Sequence, residues 1–120
     1  VVVEDDADVR AVTVGCLLEL GYNVVEAATA GEGLAQLERN KGANLLIADI
    51  VLPGGMGGRD LAEKACALQP DLQVLYISGY AENALSHYGR LDDGVQLLVK
   101  PFRLADLGAK VRQILDDAKD

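Results

Sequence analysis

At 120 residues, half of them apolar and a quarter charged, the chain is one domain's worth of a globular protein. Its net charge of −8 argues against nucleic acid as a direct partner, which needs clustered Lys and Arg, and equally against an anionic membrane surface. With one Phe and no Trp the core must be aliphatic, and no apolar run approaches the length of a membrane span.

Val1-Val2-Val3 is a β-branched run that stops at Glu4-Asp5-Asp6. No signal peptide is expected, and a start at Val1 without Met reads as a trimmed end or an excised piece of a longer protein. Val9, Val12, Cys16 and Leu20 recur at spacings of three and four, which predicts one face of a helix. Asp6 reads as the cap that starts it, and Gly21 as the cap that ends it. Residues 23–28 read as a second strand. Thr29 and Glu32 have capping-box spacing ahead of a helix that runs through Leu34 and Leu37 to about Asn40. Leu45-Leu46-Ile47-Ala48 is a third strand ending at Asp49. Residues 53–58 form a Gly-rich loop, and the next helix carries Leu61, Ala65 and Leu68 on one face before Pro70 stops it. Residues 72–77 read as the fourth strand, ending at Ser78-Gly79. A weaker helix follows over 81–88, then a fifth strand over 95–99 ending at Lys100-Pro101. A final helix carries Leu104, Leu107, Val111 and Ile114. Cys16 and Cys66 lack metal-type spacing and sit in apolar helical patterns, so they read as buried, reduced thiols of a cytosolic protein.

Short apolar strands alternating with helices predict an α/β fold with a doubly wound five-stranded parallel sheet, in which the order 2-1-3-4-5 would make strand 2 an edge strand. Residues 1–120 read as a single domain, without linker or repeat. In such sheets the functional crevice lies beyond the carboxyl ends of the strands. Here those ends carry Glu4-Asp5-Asp6, Asp49, Ser78 and Lys100, while strand 2 ends in nothing reactive. Converging carboxylates repel one another, and a hard divalent cation such as Mg2+ relieves that with oxygen ligands. A carboxylate can attack phosphorus to give an acyl phosphate, and magnesium and a lysine can neutralise the phosphoryl oxygens as charge builds on them. A hydroxyl at the next strand end can hydrogen-bond the attached group.

The stretches VVVEDDADVR, LLIADIVLPGGMGGRDL, VLYISGY and LLVKPF, in that order and each at a strand end, make the chain similar to the response-regulator receiver family of bacterial two-component signalling. The resemblance covers the whole chain. It implies a flavodoxin-like three-layer sandwich and phosphoryl transfer from a histidine kinase or phosphotransfer domain onto Asp49. It further implies Mg2+ bound by Asp5 directly, Glu4 through water, Asp49, and the backbone carbonyl of Val51. Ser78 matches the switch hydroxyl, Lys100 the family's lysine, and the Lys100-Pro101 bond would be cis. Val51 and Tyr80 match the positions that flank water's approach to the phosphorus, so they are expected to tune the lifetime of the phosphorylated state. Output, including self-association, would use the face of the fourth helix, fifth strand and fifth helix. The stretch SGYAENALSHYGRLDDGVQLLVKPF resembles receivers attached to hybrid histidine kinases. Three departures stand out: LPGGMGG is one Gly longer than usual, Glu4 replaces a more frequent Asp, and Leu97 stands where many receivers carry a Tyr or Phe.

Plainer readings exist for each residue alone. Glu4 and Asp5 could be a solvated loop, Ser78-Gly79 a turn, and Lys100-Pro101 a strand exit. Tyr76 should be core, Tyr80 and Tyr88 exposed contact residues, and His87 a surface residue. Two other functions compete. An aspartyl-nucleophile phosphatase commonly needs a second acid two residues on, where Val51 stands. An unphosphorylated receiver-like scaffold typically loses an acid or the lysine, and this chain keeps them all.

Overall fold

The structure, a computed structural model, describes residues 1–40, 42–50, 52, 56–78, 96–99 and 102–118; for Ser78, Val99, Asp117 and Ala118 it describes the backbone only. Strands β1 (Val2–Val3), β2 (Glu26–Ala27), β3 (Leu45–Asp49), β4 (Gln73–Ser78) and β5 (Gln96–Val99) form one sheet of order β2-β1-β3-β4-β5, and every pairing is parallel. Helices α1 (Ala7–Glu19), α2 (Ala30–Arg39) and α3 (Gly58–Leu68) and a C-terminal helix (Leu104–Ala118) cover it. The expected helix over 81–88, with His87 and Tyr88, lies outside the described residues.

The sheet is covered on both faces because its inner strands carry unbroken apolar runs (Val2-Val3, Leu45–Ala48, Val74–Ile77) in place of an alternating pattern. In β3, Leu46 and Ala48 face one core with Leu37 of α2 and Leu61, Ala62 and Ala65 of α3. Ile47 faces the other with Val14 and Leu17 of α1 and Leu107, Val111 and Ile114 of the C-terminal helix. Tyr76 belongs to the first core, as expected, and Leu97 packs against that core as a half-buried side chain. No described helix is long and apolar enough to cross a membrane.

Local signals fixed the helix ends. Asp6 Oδ1 accepts from the amides of Asp8 (2.9 Å) and Val9 (3.1 Å) at the start of α1. At its end Gly21 takes φ +93°, the left-handed region glycine tolerates best, and Tyr22 N donates back to Leu17 O. Thr29 Oγ1 accepts from Glu32 N, and Glu32 Oε2 accepts from Ala28 N, each at 3.1 Å. Thr29→Ala is expected to cost about 1 kcal/mol, read as a lower urea midpoint at unchanged m-value.

Several expectations need correction. The stripe of α1 that meets the sheet is Thr13, Val14 and Leu17, whereas Val12 and Leu20 are each 54% exposed and Cys16 is half-buried. The helix is apolar on more than one side, and a buried Thr carries no hydropathy signal, so the pattern did not fix its rotation. Leu68 and Leu104, placed on buried faces by spacing, are the last residue of α3 and the first of the C-terminal helix, and both are about half exposed. Strand 2 spans two residues where 23–28 were expected. It pairs only with β1, itself two residues long, and an edge strand has no ladder beyond its partner.

Candidate functional site

Register brings the acids together. Val3 pairs with Ala48, so the next residues in their strands' direction, Glu4 and Asp49, emerge side by side at the carboxyl edge. Carboxylate oxygens of Glu4, Asp5 and Asp49 all lie within 4.8 Å of one another. Glu4 and Asp49 are buried, at 3% and 7% exposure, while Asp5 is open to solvent. A buried shelf of two carboxylates with a third at its mouth is an all-oxygen donor set, suited to a hard cation and to substrates that arrive from water. Asp6 stands apart, its carboxylate used as the α1 cap.

Glu4 and the backbone beside Asp49 are held by their surroundings. Glu4 N donates to Ala27 O at 3.1 Å, and Glu4 Oε1 accepts from Asp6 N at 3.1 Å. The carbonyl of Glu4 accepts from Arg10 Nη1 at 2.8 Å, and Arg10 Nε pairs with Glu26 Oε1 at 3.1 Å. Below Asp49, Ile50 N donates to Ile77 O, and Gly58 N donates to Ile50 O at 2.8 Å. The start of α3 lies so close that a Cβ on Gly58 would sit 2.1 Å from the Asp49 carbonyl oxygen. Gly33 of α2 plays a similar part under β1, where a Cβ would come within 2.6 Å of Val3 Cγ2.

Asp49 pairs with Ile77, and Ser78 follows as the last residue of β4, so its backbone stands at the same sheet edge. Ser78 in turn pairs with Val99, which ends β5 immediately before Lys100 in sequence. Val51, Tyr80, Lys100 and Pro101 lie outside the described residues. Of the expected site, the structure therefore assembles Glu4, Asp5 and Asp49 and puts the Ser78 backbone beside them. Arg10, Gly33 and Gly58 escaped the reading of the sequence. A Gly-Gly pair before a helix hints at close approach, but nothing in the spacing of Arg10 signals its bond to Glu4.

The cysteines stay out of this chemistry. Both are half-buried and free, which corrects the expectation of fully buried thiols; they sit on the outer flanks of their helices rather than on the stripes that meet the sheet. Desolvation pushes both thiols' pKa up, and Glu19 adds to this at Cys16, so neither is primed as a nucleophile. A groove lined by Leu17, Tyr22, Val24, Leu45 and Val111 opens at the opposite end of the strands and carries no carboxylate.

Comparison with known proteins agrees with this layout. The profile of the response regulator receiver domain matches residues 1–112. The response regulator receiver protein CpdR of Brucella abortus is 34% identical over 112 residues, 93% of this chain and 92% of that protein. The sensor kinase CckA of the same organism is 35% identical over 115 residues, 95% of this chain but only 12% of the kinase. A CheY-like receiver domain crystal structure from Methanospirillum hungatei superposes with a TM-score of 0.82 at 38% identity, covering 98% of this chain and 93% of that one.

Proposed function

The chain belongs to the response regulator receiver family of two-component phosphorelay systems, and from that premise we propose that Asp49 is its phosphoacceptor and that Glu4, Asp5 and Asp49 hold a magnesium ion beside it. Receiver domains bind Mg2+ at an acidic pocket, and the observation that carries the reading is the three-carboxylate cluster, with oxygens within 4.8 Å, at the carboxyl edge of the sheet. The donor set fits: hard oxygen ligands, two of them buried, in a chain of net charge −8. When bound, the ion supplies positive charge that screens the carboxylates and the phosphoryl oxygens.

Asp49 is the last residue of β3, whereas Glu4 and Asp5 follow the end of β1; this placement and its match to the family's phosphorylated aspartate support Asp49 as the nucleophile. Its carboxylate oxygen forms the O–P bond as the P–N bond to a donor histidine breaks, and the imidazole nitrogen leaves with the electron pair. Glu4 and Asp5 stay as ligands. By the family pattern, Val51 would lend its carbonyl to the ion, Lys100 would neutralise the phosphoryl oxygens, and Ser78 would hydrogen-bond the group once attached. Val51 and Tyr80, the residues expected to border water's approach to the phosphorus, offer no acid or amide to orient it, so the phosphorylated state should be long-lived.

Receiver domains interact with histidine kinases or phosphotransfer partners, and they are typically not enzymes in the usual sense. This one takes its phosphoryl group from such a partner in the cytoplasm and assists its own phosphorylation. The added charge reshapes the face of the fourth helix, fifth strand and fifth helix for recognition or self-association. Residues 1–120 act as one receiver domain, alone or within a hybrid kinase.

Mass spectrometry after incubation with acetyl phosphate and magnesium tests the reading. A single stable phosphate is expected, absent when a chelator is present during labelling and strongly reduced in Asp5→Ala. Rapid turnover of the donor without accumulation would point to a phosphatase, and no labelling at all to a scaffold.

A further inference from the structure

Arg10 occupies an unusual place for a cation. It sits in the first turn of α1, its side chain only 20% exposed, and its guanidinium reaches two acceptors on different elements. Nη1 donates to the carbonyl of Glu4 at 2.8 Å, and Nε to Glu26 Oε1 in β2 at 3.1 Å. The Glu4 carbonyl belongs to the peptide unit that joins Glu4 to Asp5, so whatever holds that oxygen fixes the plane from which both acids spring. The pair with half-exposed Glu26 is too open to contribute much on its own. It serves instead to aim the fork of the guanidinium at the carbonyl.

We propose that Arg10 is a positioning residue for the acidic pair, and that it strengthens divalent-cation binding even though it places a positive charge near the cation. This rests on the reading that Glu4, Asp5 and Asp49 hold magnesium. Two effects of opposite sign compete at Arg10. As a charge it repels the ion, and its removal should tighten binding. As a brace it keeps the Glu4-Asp5 peptide in one orientation, and its removal should let the two carboxylates diverge. The charge effect is weakened by solvent and by Glu26, which already neutralises the guanidinium. The brace acts through one short, charge-assisted hydrogen bond to the Glu4 carbonyl. Loss of such a partner behind a metal ligand typically weakens binding by about tenfold or more.

The experiment is a magnesium titration of the 15N-labelled protein, following the backbone amides of Asp5 and Asp6, for wild type, Arg10→Gln, Arg10→Lys and Glu26→Gln. Thermal unfolding without metal is recorded for each. Arg10→Gln should raise the Kd about tenfold. Glu26→Gln, which leaves the Glu4 contact in place, should change it far less. Arg10→Lys should recover part of the loss, since an ammonium can reach one acceptor but not both. A merely structural role would lower the unfolding temperature without changing the Kd, and a merely electrostatic one would lower the Kd; either result overturns the proposal. Should Arg10→Gln fold poorly, Arg10→Lys against Glu26→Gln still decides, because equal Kd values in those two and wild type would refute the brace. A wild-type protein that shows no magnesium-dependent shift refutes the metal reading itself, and this proposal with it.

Discussion

Asp49→Asn is expected to abolish phosphorylation outright while the protein stays folded. Asn keeps the size and much of the polarity of Asp at the end of β3 but has no anionic oxygen to attack phosphorus. The neighbouring acids cannot replace it. Asp5 is exposed and off the strand, and Glu4 has one oxygen committed to the Asp6 amide. The unfolding temperature should hold or rise, because three carboxylates with oxygens within 4.8 Å repel one another and one of them becomes neutral. Magnesium should behave in the opposite way. At ten times its Kd it should stabilise wild type by about 1.4 kcal/mol, and at the same concentration Asp49→Asn by clearly less. Intact-mass labelling and thermal melts with and without metal check both halves. A labelled Asp49→Asn would identify a different nucleophile.

Gly58→Ala should be the most damaging single methyl group in the site. The added carbon would lie 2.1 Å from the Asp49 carbonyl oxygen and 2.9 Å from Ile50 Cα. Both obstacles are backbone, so no side chain can rotate aside; either α3 backs away or the end of β3 is displaced. Overpacking of this sort costs about 3 kcal/mol, the upper end for inserted methylenes. The displaced atoms belong to Asp49 itself, so the labelling rate should fall along with stability. Gly15→Ala makes the control. Gly15 is exposed in the middle of α1 with nothing within 4 Å of its would-be Cβ. That change should stabilise by about 1 kcal/mol through helix propensity and leave labelling unaltered. Urea denaturation of the two variants should therefore move in opposite directions.

The parts of this molecule legible in its sequence are those set by short-range chemistry. The caps at Asp6, Gly21 and Thr29 announce themselves, because each depends on one residue's own hydrogen bonds or backbone freedom. The parallel, doubly wound sheet was legible from the alternation of short apolar runs with helical patterns, and the acids of the site from their place at strand ends. The rotation of α1 was not legible, because Val12, Val14, Leu17, Leu18 and Leu20 offer several candidate faces and only contact with the sheet selects one. The brevity of β2 depends on β1, and the roles of Arg10 and Gly58 depend on distances across the fold that no local pattern encodes.

The pairing of β1 with β3 has a consequence for how the site comes into being. Val2 meets Ile47 and Val3 meets Ala48, and β1 offers only those two residues to the ladder. Closing the intervening loop of about 45 residues costs about 3 kcal/mol of chain entropy before any constant term. Repulsion among the carboxylates at the loop's ends adds to that cost instead of offsetting it. So small a ladder is a poor nucleus, and the contact is consolidated only as Val2 and Val3 settle into their separate cores. The acidic cluster is thus expected to form late in folding. A cation gripping it would then slow escape from the native state far more than it hastens arrival, and bound magnesium would act as a kinetic latch on the fold.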